Sequence, residues 1–576
     1  MNLKLDQHEV SAILDEIAVL LELKGENPFK VRAYQNAERT IGSLGDRFSE
    51  VIEQGKLEEC KGIGKVLAEK ITTLAQTGKL DYYEELRKDF PSTLFELLKV
   101  PGLGPKKVKI LYEKLDVKSL GELEYACKEN RLIKLDGFGE KTQEKILAGI
   151  EYLKKNLGRF LFADAIDLAE SVVKTVSTWK GIDRVSLAGS LRRRKEIVKD
   201  VDIVCSSKTP KAVMKKFVEL EGVGTVIAHG ETKSSVLWKN GIQIDLRVVK
   251  DLEFPYALHH FTGSKEHNTA LRTLAKEKGL KMNEYGLFKE EKLLLCKNEE
   301  EIFKALGLYF IPPEMREDRG EIESAKKGKI PSLIELDDLT GFFHVHSTYS
   351  DGKNSLEEMV HAASKMGIQY LGISDHSQSA FYANGLKEAD IDRQHQEIDQ
   401  LQKKYPKVKL FKGIESDILP DGSLDYPDRI LKKFEFVIGS VHSKFNLSEE
   451  EMTQRCLKAL ENPYCTILGH PTGRLLLARE EFKIRLHALI DRAAELGKVV
   501  ELNANPHRLD LDWRILSYAK EKGLQVAINP DAHSIEGLSD IRFGVYMARK
   551  GGLTKKDVFN TLPLPAMGKA LEKARS

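Results

Sequence analysis

The stretch "FHVHSTYSDG" at residues 343–352 carries two histidines, His344 and His346, and then Asp351 five positions after the second. Side chains at alternate positions of a β-strand point to the same face, so both imidazoles would face one site. Imidazole and carboxylate ligands together suit Zn²⁺, Mn²⁺ or Fe²⁺ better than Mg²⁺. A single histidine at the end of a strand is more often structural, so this stretch alone leaves both interpretations open.

The same pattern recurs through the rest of the chain. Short runs of Val, Ile, Leu and Gly end in His, Asp or Glu, as in "LGISDHS", "VIGSVHS" and "VAINPDAHS", and segments with helical periodicity separate them. Repeated β-α units of this kind predict a parallel barrel whose active site lies at the carboxyl ends of its strands. Six histidines and three acids in this position are too many to be all structural, which predicts a metal site. The candidate ligands are His344, His346, Asp351, His376, Glu415, His442, His470, Asp531 and His533.

A second group of acids lies in the first half of the chain. Asp200 and Asp202 are two positions apart on a predicted strand in "GSLRRRKEIVKDVDIV", residues 189–204, and Asp245 lies in the alternating strand "GIQIDLRVV". An Asp-x-Asp pair alone is more often a solvated strand end. Three carboxylates together can hold two Mg²⁺ or Mn²⁺ ions that clamp the attacking and leaving oxygens of a phosphoryl transfer.

Residues near these acids predict a nucleotide site. Gly189 and Ser190 would cradle phosphates, and the charges of Arg192 and Arg193 would neutralise them. The later stretch "FTGSKEHN", residues 261–268, offers a flat surface for a sugar and a base. The candidate nucleotide-binding residues are Gly189, Ser190, Arg193, His260, Phe261, Gly263, Asn268 and Arg272.

Three short repeats occur in the first 155 residues. They read "CKGIGKVLAEKI" (60–71), "VPGLGPKKVKIL" (100–111) and "LDGFGEKTQEKIL" (135–147), each a Gly-apolar-Gly turn before a Lys-rich helix. One copy could be a plain connection between helices. Three copies, each with a basic residue after the second glycine, favour contact with a nucleic-acid backbone. The glycines concerned are Gly62, Gly64, Gly102, Gly104, Gly137 and Gly139.

Length and composition bound the organisation of the chain. A chain of 576 residues exceeds one core and predicts about two to four domains. Lys plus Arg number 90 against 88 Asp plus Glu, which does not exclude a local patch for nucleic acid. The six cysteines form no C-x-x-C pair and are predicted to be reduced, and no apolar run could span a membrane. Ten of the fifteen histidines follow residue 340, and the charged segment 312–341 before them predicts an interdomain linker.

The Gly-Ser turn, the three aspartates and "FTGSKEHN" resemble the family X DNA polymerases, with DNA polymerase beta the best-known member, over about residues 1–320. The resemblance implies that Asp200, Asp202 and Asp245 bind two metals and that Asp245 activates the primer 3′-hydroxyl. It assigns Ser190 and Arg193 to the triphosphate, and Phe261, Gly263 and Asn268 to the nucleotide pocket. His260 stands where the family has a tyrosine. The resemblance also implies a deoxyribose-phosphate lyase, with Lys70, Lys30 and Tyr34 as its candidate residues.

Residues 341–576 resemble the polymerase and histidinol phosphatase (PHP) domain, through H-x-H, the histidines at strand ends and the final D-x-H. This resemblance implies a distorted β/α barrel with up to three Zn²⁺, Mn²⁺ or Fe²⁺ ions that hydrolyses phosphoesters. It further implies that Glu415 bridges two ions. One ion would take His344, His346 and Asp531, another would take His376, His470 and His533, and Asp351 and His442 would complete the cluster.

The predicted fold is therefore multidomain: mainly α helix-hairpin-helix domains, an α/β nucleotidyltransferase palm and thumb, and a C-terminal distorted β/α barrel. The predicted domains are a helical lyase-like DNA-binding domain (1–85), a helix-hairpin-helix fingers-like domain (86–155), a palm (156–245), a nucleotide-pocket thumb-like domain (246–320), a linker (321–340) and a PHP phosphoesterase domain (341–576).

The combination matches the bacterial-type family X polymerases, which implies gap-filling DNA synthesis with a 3′-5′ exonuclease in the barrel. The barrel is also a candidate endonuclease at abasic sites. Expected partners are gapped or primer-template DNA and deoxynucleoside triphosphates, for a cytoplasmic, nucleoid-associated monomer without a membrane partner. Two alternatives stay open: a gap-binding scaffold with an inactive polymerase half, and a barrel that hydrolyses small phosphate monoesters.

Overall fold

The computed structural model describes residues 3–45, 47–91, 93–128, 131–156 and 158–575. It divides the chain into two compact units, one up to residue 157 and one from residue 158 onward. Within the described ranges, no helix combines the length and the apolar character needed to cross a membrane.

The first unit is built from helices around two apolar cores, one formed mainly by residues 10–86 and one by residues 94–150. The sequence sets the helix ends locally. The first helix begins at Asp6, whose carboxylate accepts from the Glu9 amide in a capping box, and stops at Gly25 in the left-handed conformation. The helices are Gln7–Lys24, Pro28–Gly42, Arg47–Glu53, Lys65–Thr77, Asp81–Lys88, Leu94–Leu98, Pro105–Leu115, Leu120–Lys128 and Glu140–Asn156.

The second unit opens with a five-stranded mixed sheet. Its strand order is Ile182–Leu187, Asp200–Ser207, Gln243–Val249, Lys233–Trp238 and Val223–His229. Helices Phe162–Ser177 and Pro210–Val218 share an apolar core with Val201 and Ile203 of the second strand. Val204, on the opposite face, packs with helix Phe254–Thr262. The alternation of a strand therefore places Asp200 and Asp202 on the face away from the first two helices.

The next segment joins three helices to a small antiparallel sheet. The helices are Phe254–Thr262, Lys265–Glu277 and Glu299–Ala305, and the strands are Leu280–Asn283, Gly286–Lys289 and Lys292–Leu293. Phe160–Leu161 and Ile197–Val198 form a separate two-stranded sheet. Gly189–Arg192 is a short helix.

The segment 321–340, predicted as an interdomain linker, is partly packed against the rest of the protein. The segment begins with helix Glu321–Lys326, whose Ile322 and Ala325 are buried, and the Ile334 amide donates to the Leu553 carbonyl at 3.1 Å. Glu321 is buried, and its Oε1 lies 2.6 Å from His267 Nδ1, whereas the lysines of the same segment are exposed. The charged composition suggests exposure, but it does not show that Glu321 is paired inside the protein.

The C-terminal half is a near-closed parallel barrel of seven strands in sequence order. A parallel bridge between Val345 and Ala532 and a bond from the His346 amide to the Ala532 carbonyl (2.9 Å) join the first strand region to the last. The strands are Gly341–Phe342, Tyr370–Ile373, Lys409–Asp417, Phe436–Ser440, Ile467–Leu468, Val499–Asn503 and Gln525–Asn529.

Helices surround this barrel and close one end of it. Residues of the last helix pack with Phe343 and Phe436 in an aromatic cluster. These helices are Leu356–Lys365, Glu388–Lys404, Asp428–Leu431, Glu449–Glu461, Leu486–Leu496, Leu516–Glu521, Ile541–Lys550 and Leu564–Ala574. The predicted fold class is confirmed, because the helical first unit, the mixed sheet and the parallel barrel are all present.

Candidate metal centre and carboxylate site

All nine predicted metal ligands of the barrel lie together at the carboxyl ends of its strands. Their ligand atoms form four overlapping groups, each within 4.8 Å. The groups are His346, Asp351, His376 and His533; His344, Glu415 and His470; His344, His346 and Asp531; and His376, Glu415 and His442. The shared members make one continuous cluster that can hold several metal ions.

Glu415 lies at the centre of the cluster and is fully buried. Its Oε1 is 2.9 Å from His470 Nε2 and 3.3 Å from His442 Nε2, and its Oε2 is 2.9 Å from His376 Nδ1. His344 Nε2 is 3.2 Å from Oε1. Because one carboxylate contacts four imidazoles through both oxygens, Glu415 is suited to bridge two ions.

The donor atoms of this cluster fit metal ions. Both ring nitrogens of His346 and Nε2 of His344 are buried without a hydrogen-bond partner among the described residues. A buried polar atom left unpaired costs about 1–3 kcal/mol, which a bound cation would offset. Burial and the neighbouring His533 and His376 lower the pKa of His346 to about 3. His346 is therefore neutral at physiological pH, the form of histidine that binds metals.

The expected sharing of ligands between ions is wrong in one part. His344, His346 and Asp531 group as expected, but His470 groups with His344 and Glu415 and not with His376 and His533. His376 and His533 follow the second and the last strand, which both flank the first, so they lie on either side of His346. The His346 and His533 ring centroids are 4.1 Å apart. Barrel closure, which chain order does not show, decides this grouping.

Three further charged residues orient the ligands. Glu501 Oε1 lies 2.7 Å from His344 Nδ1, and Asp417 Oδ1 lies 2.6 Å from His442 Nδ1. A carboxylate on the second nitrogen of a ligand histidine fixes its tautomer and its ring orientation. Arg508 Nε lies 3.4 Å from Asp531 Oδ2 and brings a positive charge to the edge of the cluster.

The three aspartates of the mixed sheet also come together. Asp202 and Asp245 are direct partners on adjacent parallel strands, and Asp200 lies two positions before Asp202. Burial, with the nearby charges of Asp200 and Asp245, raises the pKa of Asp202 to about 7. Burial and Asp245 also raise the pKa of Asp200. Divalent cations bound here would offset both the burial of these carboxylates and the repulsion between them.

Asp245 behaves differently from the other two aspartates. Burial acts to raise its pKa, but hydrogen bonds from Lys233 and Gln243 and the charge of Lys233 outweigh burial and lower it. Lys233 Nζ is 2.8 Å from Oδ2, and Gln243 Nε2 donates to Oδ1 at 2.9 Å. Asp245 is therefore the one of the three aspartates whose pKa the protein lowers.

Gly189 meets a steric requirement of this site. Its φ of +63° is left-handed, and a Cβ added there would lie 2.1 Å from Asp202 Oδ2. Glycine is needed because any side chain would collide with a carboxylate of the site. Ser190 follows it in the short helix Gly189–Arg192.

The other predicted nucleotide-binding residues surround the end of helix Phe254–Thr262. Asn268 Nδ2 donates to the carbonyls of His260 (2.7 Å) and Gly263 (3.2 Å), so its amide holds the turn between two helices. The Phe261 ring lies 4.4 Å from the Arg247 guanidinium. Arg193 is buried, whereas Arg272 is exposed on helix Lys265–Glu277.

In the first unit, the predicted lyase residues are neighbours. Lys70 Nζ donates to the Tyr34 hydroxyl at 3.0 Å and lies 3.5 Å from the centroid of the Tyr82 ring. Partial burial, with the charge of Lys30, lowers the pKa of Lys70. This lowering increases the fraction of neutral amine, the form that attacks a carbonyl group.

The three Gly-apolar-Gly turns share one conformation. In each turn the first glycine is left-handed, with φ of +87° at Gly62, +85° at Gly102 and +82° at Gly137. The amide of the apolar residue bonds back three positions in every copy, and its side chain is buried. Gly64, Gly104 and Gly139 then precede the helices that begin at Lys65, Pro105 and Glu140. Each turn therefore leads into a helix N-terminus, where backbone N–H groups can donate hydrogen bonds to phosphate oxygens.

Comparison with known families agrees with this layout. The chain matches the helix-hairpin-helix domain at residues 6–80, the SAM-like helix-hairpin-helix tandem at 94–151, the DNA polymerase beta thumb at 257–317 and the PHP domain at 343–505. It is 40% identical over 560 residues to the DNA polymerase/3′-5′ exonuclease PolX of Bacillus subtilis, which covers 96% of this chain and 97% of that protein. The chain belongs to the bacterial PolX family. The predicted family is confirmed.

Two other relatives resemble separate parts of this PolX-family protein. A repair DNA polymerase X of African swine fever virus is 36% identical over 141 residues, 23% of this chain and 80% of its own length. A protein named probable phosphatase, from Caldanaerobacter subterraneus subsp. tengcongensis, is 29% identical over 224 residues, 36% of this chain and 79% of its own length.

Sequence reasoning missed several residues of these PolX-family sites. Glu501 and Asp417 each lie on a strand, where a buried acid in an apolar run was the available signal. Asp417 is only two positions after Glu415 on the same strand. No sequence pattern indicated Lys233 or Tyr82, because the residues that they contact, Asp245 and Lys70, lie on other elements.

Proposed function

We propose that this protein is a DNA repair polymerase that fills short gaps by template-directed, two-metal nucleotidyl transfer. We further propose that its barrel acts as a metal-dependent 3′-5′ exonuclease. One observation carries the proposal: a single chain holds two sites of different ligand chemistry, three carboxylates in one and six histidines with three acids in the other. The PolX relative, whose name joins these two activities, matches nearly the whole chain.

In nucleotide addition, the three aspartates have two tasks. Asp200 and Asp202 would hold Mg²⁺ or Mn²⁺, which when bound neutralises the charge of the triphosphate. Asp245 stays ionised beside Lys233 and Gln243 and is the group to accept the proton of the primer 3′-hydroxyl. Arg193 has N–H groups for the phosphates, and Phe261 and Gly263 border the nucleotide.

In 3′ degradation, the barrel residues would hold up to three Zn²⁺, Mn²⁺ or Fe²⁺ ions, which when bound supply a hydroxide for attack on phosphorus. Glu415 would be a shared ligand of these ions, and Glu501 and Asp417 fix the rings of His344 and His442. Arg508 is placed to neutralise a phosphate oxygen next to Asp531. The same centre would cleave the backbone beside an abasic site.

The test uses the purified full-length protein with one-nucleotide-gapped DNA, a recessed 3′ end, an abasic duplex and histidinol phosphate, each with Mg²⁺ or Mn²⁺. We expect one-nucleotide extension of the gap and shortening of the 3′ end. If the protein binds gapped DNA but incorporates no nucleotide, the polymerase half is a gap-binding scaffold and not an enzyme. Faster hydrolysis of histidinol phosphate than of DNA would make the barrel a phosphatase for small monoesters.

A second candidate function is removal of 5′-deoxyribose phosphate by the first unit. The observation that favours it is Lys70, whose amine lies against two tyrosine rings and has a lowered pKa. The amine would attack the sugar aldehyde, and the adduct would lose water to form a Schiff base. Elimination would then break the bond between the sugar C3′ and the oxygen of the DNA 5′-phosphate, and hydrolysis of the Schiff base would release the sugar phosphate and restore the amine.

For this lyase reaction, borohydride should trap wild-type protein covalently on DNA that carries a 5′-deoxyribose phosphate. The variant Lys70→Ala should lose more than about nine-tenths of that adduct, because no neutral amine replaces Lys70. Lys79→Ala, which removes an exposed lysine of the same unit, is the matched control and should keep it. An undiminished adduct in Lys70→Ala would exclude Lys70 as the nucleophile.

A further inference from the structure

The loop that follows the Gly189–Ser190 turn is held in place by the barrel. Lys550, the last residue of barrel helix Ile541–Lys550, is fully buried at its side chain. Its Nζ donates to the Arg193 carbonyl at 3.0 Å, to the Glu314 carbonyl at 3.2 Å and to Glu317 Oε1 at 2.5 Å. All three donors of the ammonium group therefore meet oxygens of the polymerase half.

The same Glu317 oxygen also holds the Arg193 side chain. Arg193 Nε donates to Glu317 Oε1 at 3.0 Å, and its Nη1 donates to the Thr262 carbonyl at 2.8 Å. Among the described residues these bonds use two of the five guanidinium N–H groups, which leaves three for a ligand. Burial and the other two aspartates raise the pKa of Asp202, and the charge of Arg193 partly opposes them, so the guanidinium lies near the aspartate site.

Further contacts fix the residues on the C-terminal side of Arg193. The Arg194 guanidinium lies 3.4 Å from the centroid of the Tyr546 ring on the same barrel helix. Glu196 accepts from Trp513 Nε1 at 3.0 Å and from Arg514 Nη1 at 2.8 Å, both residues of the barrel half. Glu196 and Trp513 are buried while the two arginines are partly exposed, and all of them would lose these partners if the two halves separated.

We propose that Lys550 is a positioning residue for nucleotide addition. The barrel helix holds Arg193, through the shared Glu317 carboxylate, in the orientation that presents its free N–H groups to the triphosphate. This inference rests on the proposed polymerase function. Without the ammonium group, the Glu317 carboxylate has Arg193 as its remaining cation in this cluster and draws the guanidinium away from the nucleotide. The barrel is in this sense a component of the polymerase site as well as a separate catalytic centre.

The decisive variant is Lys550→Met in the full-length protein, which keeps the length of the side chain and removes its charge. We expect KM for the incoming nucleotide on gapped DNA to rise about tenfold while kcat changes less than about threefold. The rate of 3′ degradation should stay unchanged, since Lys550 is no part of the ligand cluster. The expected split between KM and kcat, with an intact second activity, is one that general destabilisation does not produce.

Lys498→Met is the matched control. Lys498 is another buried barrel lysine, with Nζ bonded to the carbonyls of Pro463 (3.2 Å) and Ala574 (2.5 Å), both far along the chain from the polymerase half. We expect it to lower the melting temperature and leave KM for the nucleotide unchanged. If Lys550→Met does not fold, Glu317→Gln tests the same link, and we expect the same rise in KM.

Three results separate the possible failures. A KM within twofold of wild type in whichever of Lys550→Met and Glu317→Gln folds would overturn the positioning role. Parallel losses of both activities in Lys550→Met and Lys498→Met would also overturn it, because stability alone would then explain the effect. A wild-type protein that adds no nucleotide would instead remove the proposed function and, with it, this inference.

Discussion

Replacing Asp202 by asparagine is expected to lower kcat for nucleotide addition by on the order of a thousandfold while 3′ degradation continues at the wild-type rate. The substitution keeps the shape of the side chain but removes a charge from the buried face that Asp202 shares with Asp200 and Asp245. A neutral amide holds a divalent cation much less tightly than a carboxylate does. Single-turnover extension of one-nucleotide-gapped DNA measures the effect.

The asparagine variant also tests the separation of the two centres. Asp183→Asn, at an exposed position of the neighbouring strand Ile182–Leu187, is the matched control and should extend DNA normally. Because removal of a repelling buried charge does not destabilise the sheet, the melting temperature of Asp202→Asn should not fall. Extension by Asp202→Asn at even a tenth of the wild-type rate would remove this aspartate from the metal site.

Replacing Glu415 by glutamine should impair the other activity, 3′ degradation, and spare nucleotide addition. We expect 3′ degradation to fall by on the order of a thousandfold and gap filling to stay intact. The physical reason is that Glu415 contacts His344, His376, His442 and His470, so a single change removes the charge shared by most of the cluster. Release of mononucleotides from a recessed 3′ end gives the rate, and elemental analysis gives the metal bound per chain.

A surface glutamate of the same barrel provides the comparison for Glu415. Glu388 pairs with Arg429 at 2.8 Å on the outside of the barrel, and Glu388→Gln should keep both the metal content and the exonuclease rate. If Glu415→Gln degrades DNA normally although its metal content has dropped, the exonuclease does not depend on this cluster. If both activities disappear together, the two centres are not independent.

The fold followed from local patterns in the sequence. The Gly-apolar-Gly turns were recognisable because a left-handed φ at Gly62, Gly102 and Gly137 is a steric requirement that glycine satisfies. The parallel barrel was recognisable because each strand ends in a polar residue and a helix follows. The packing of segment 321–340 did not follow from such patterns, because its buried residues include Glu321, whose partner His267 lies 54 positions away.

Two pairs of neighbouring side chains were also predictable, since residues two positions apart on a strand point to the same face. This rule by itself brings together His344 with His346 and Asp200 with Asp202. It could not assign His470 to its neighbours, because the distance across the barrel mouth depends on how seven strands close. It could not find Glu501 either, which lies 157 positions from the histidine that it orients.

The sequence by itself thus determined which residue types occupy the strand ends and turns, because those choices follow from backbone periodicity and sterics within a few residues. The tertiary structure alone decided which groups share a partner and which are removed from water. The lowered pKa of Lys70, the raised pKa of Asp202 and the link from Lys550 through Glu317 to Arg193 all depend on burial and on contacts between distant segments. Electrostatic energies change steeply with distance and burial, and spacing along the chain specifies neither.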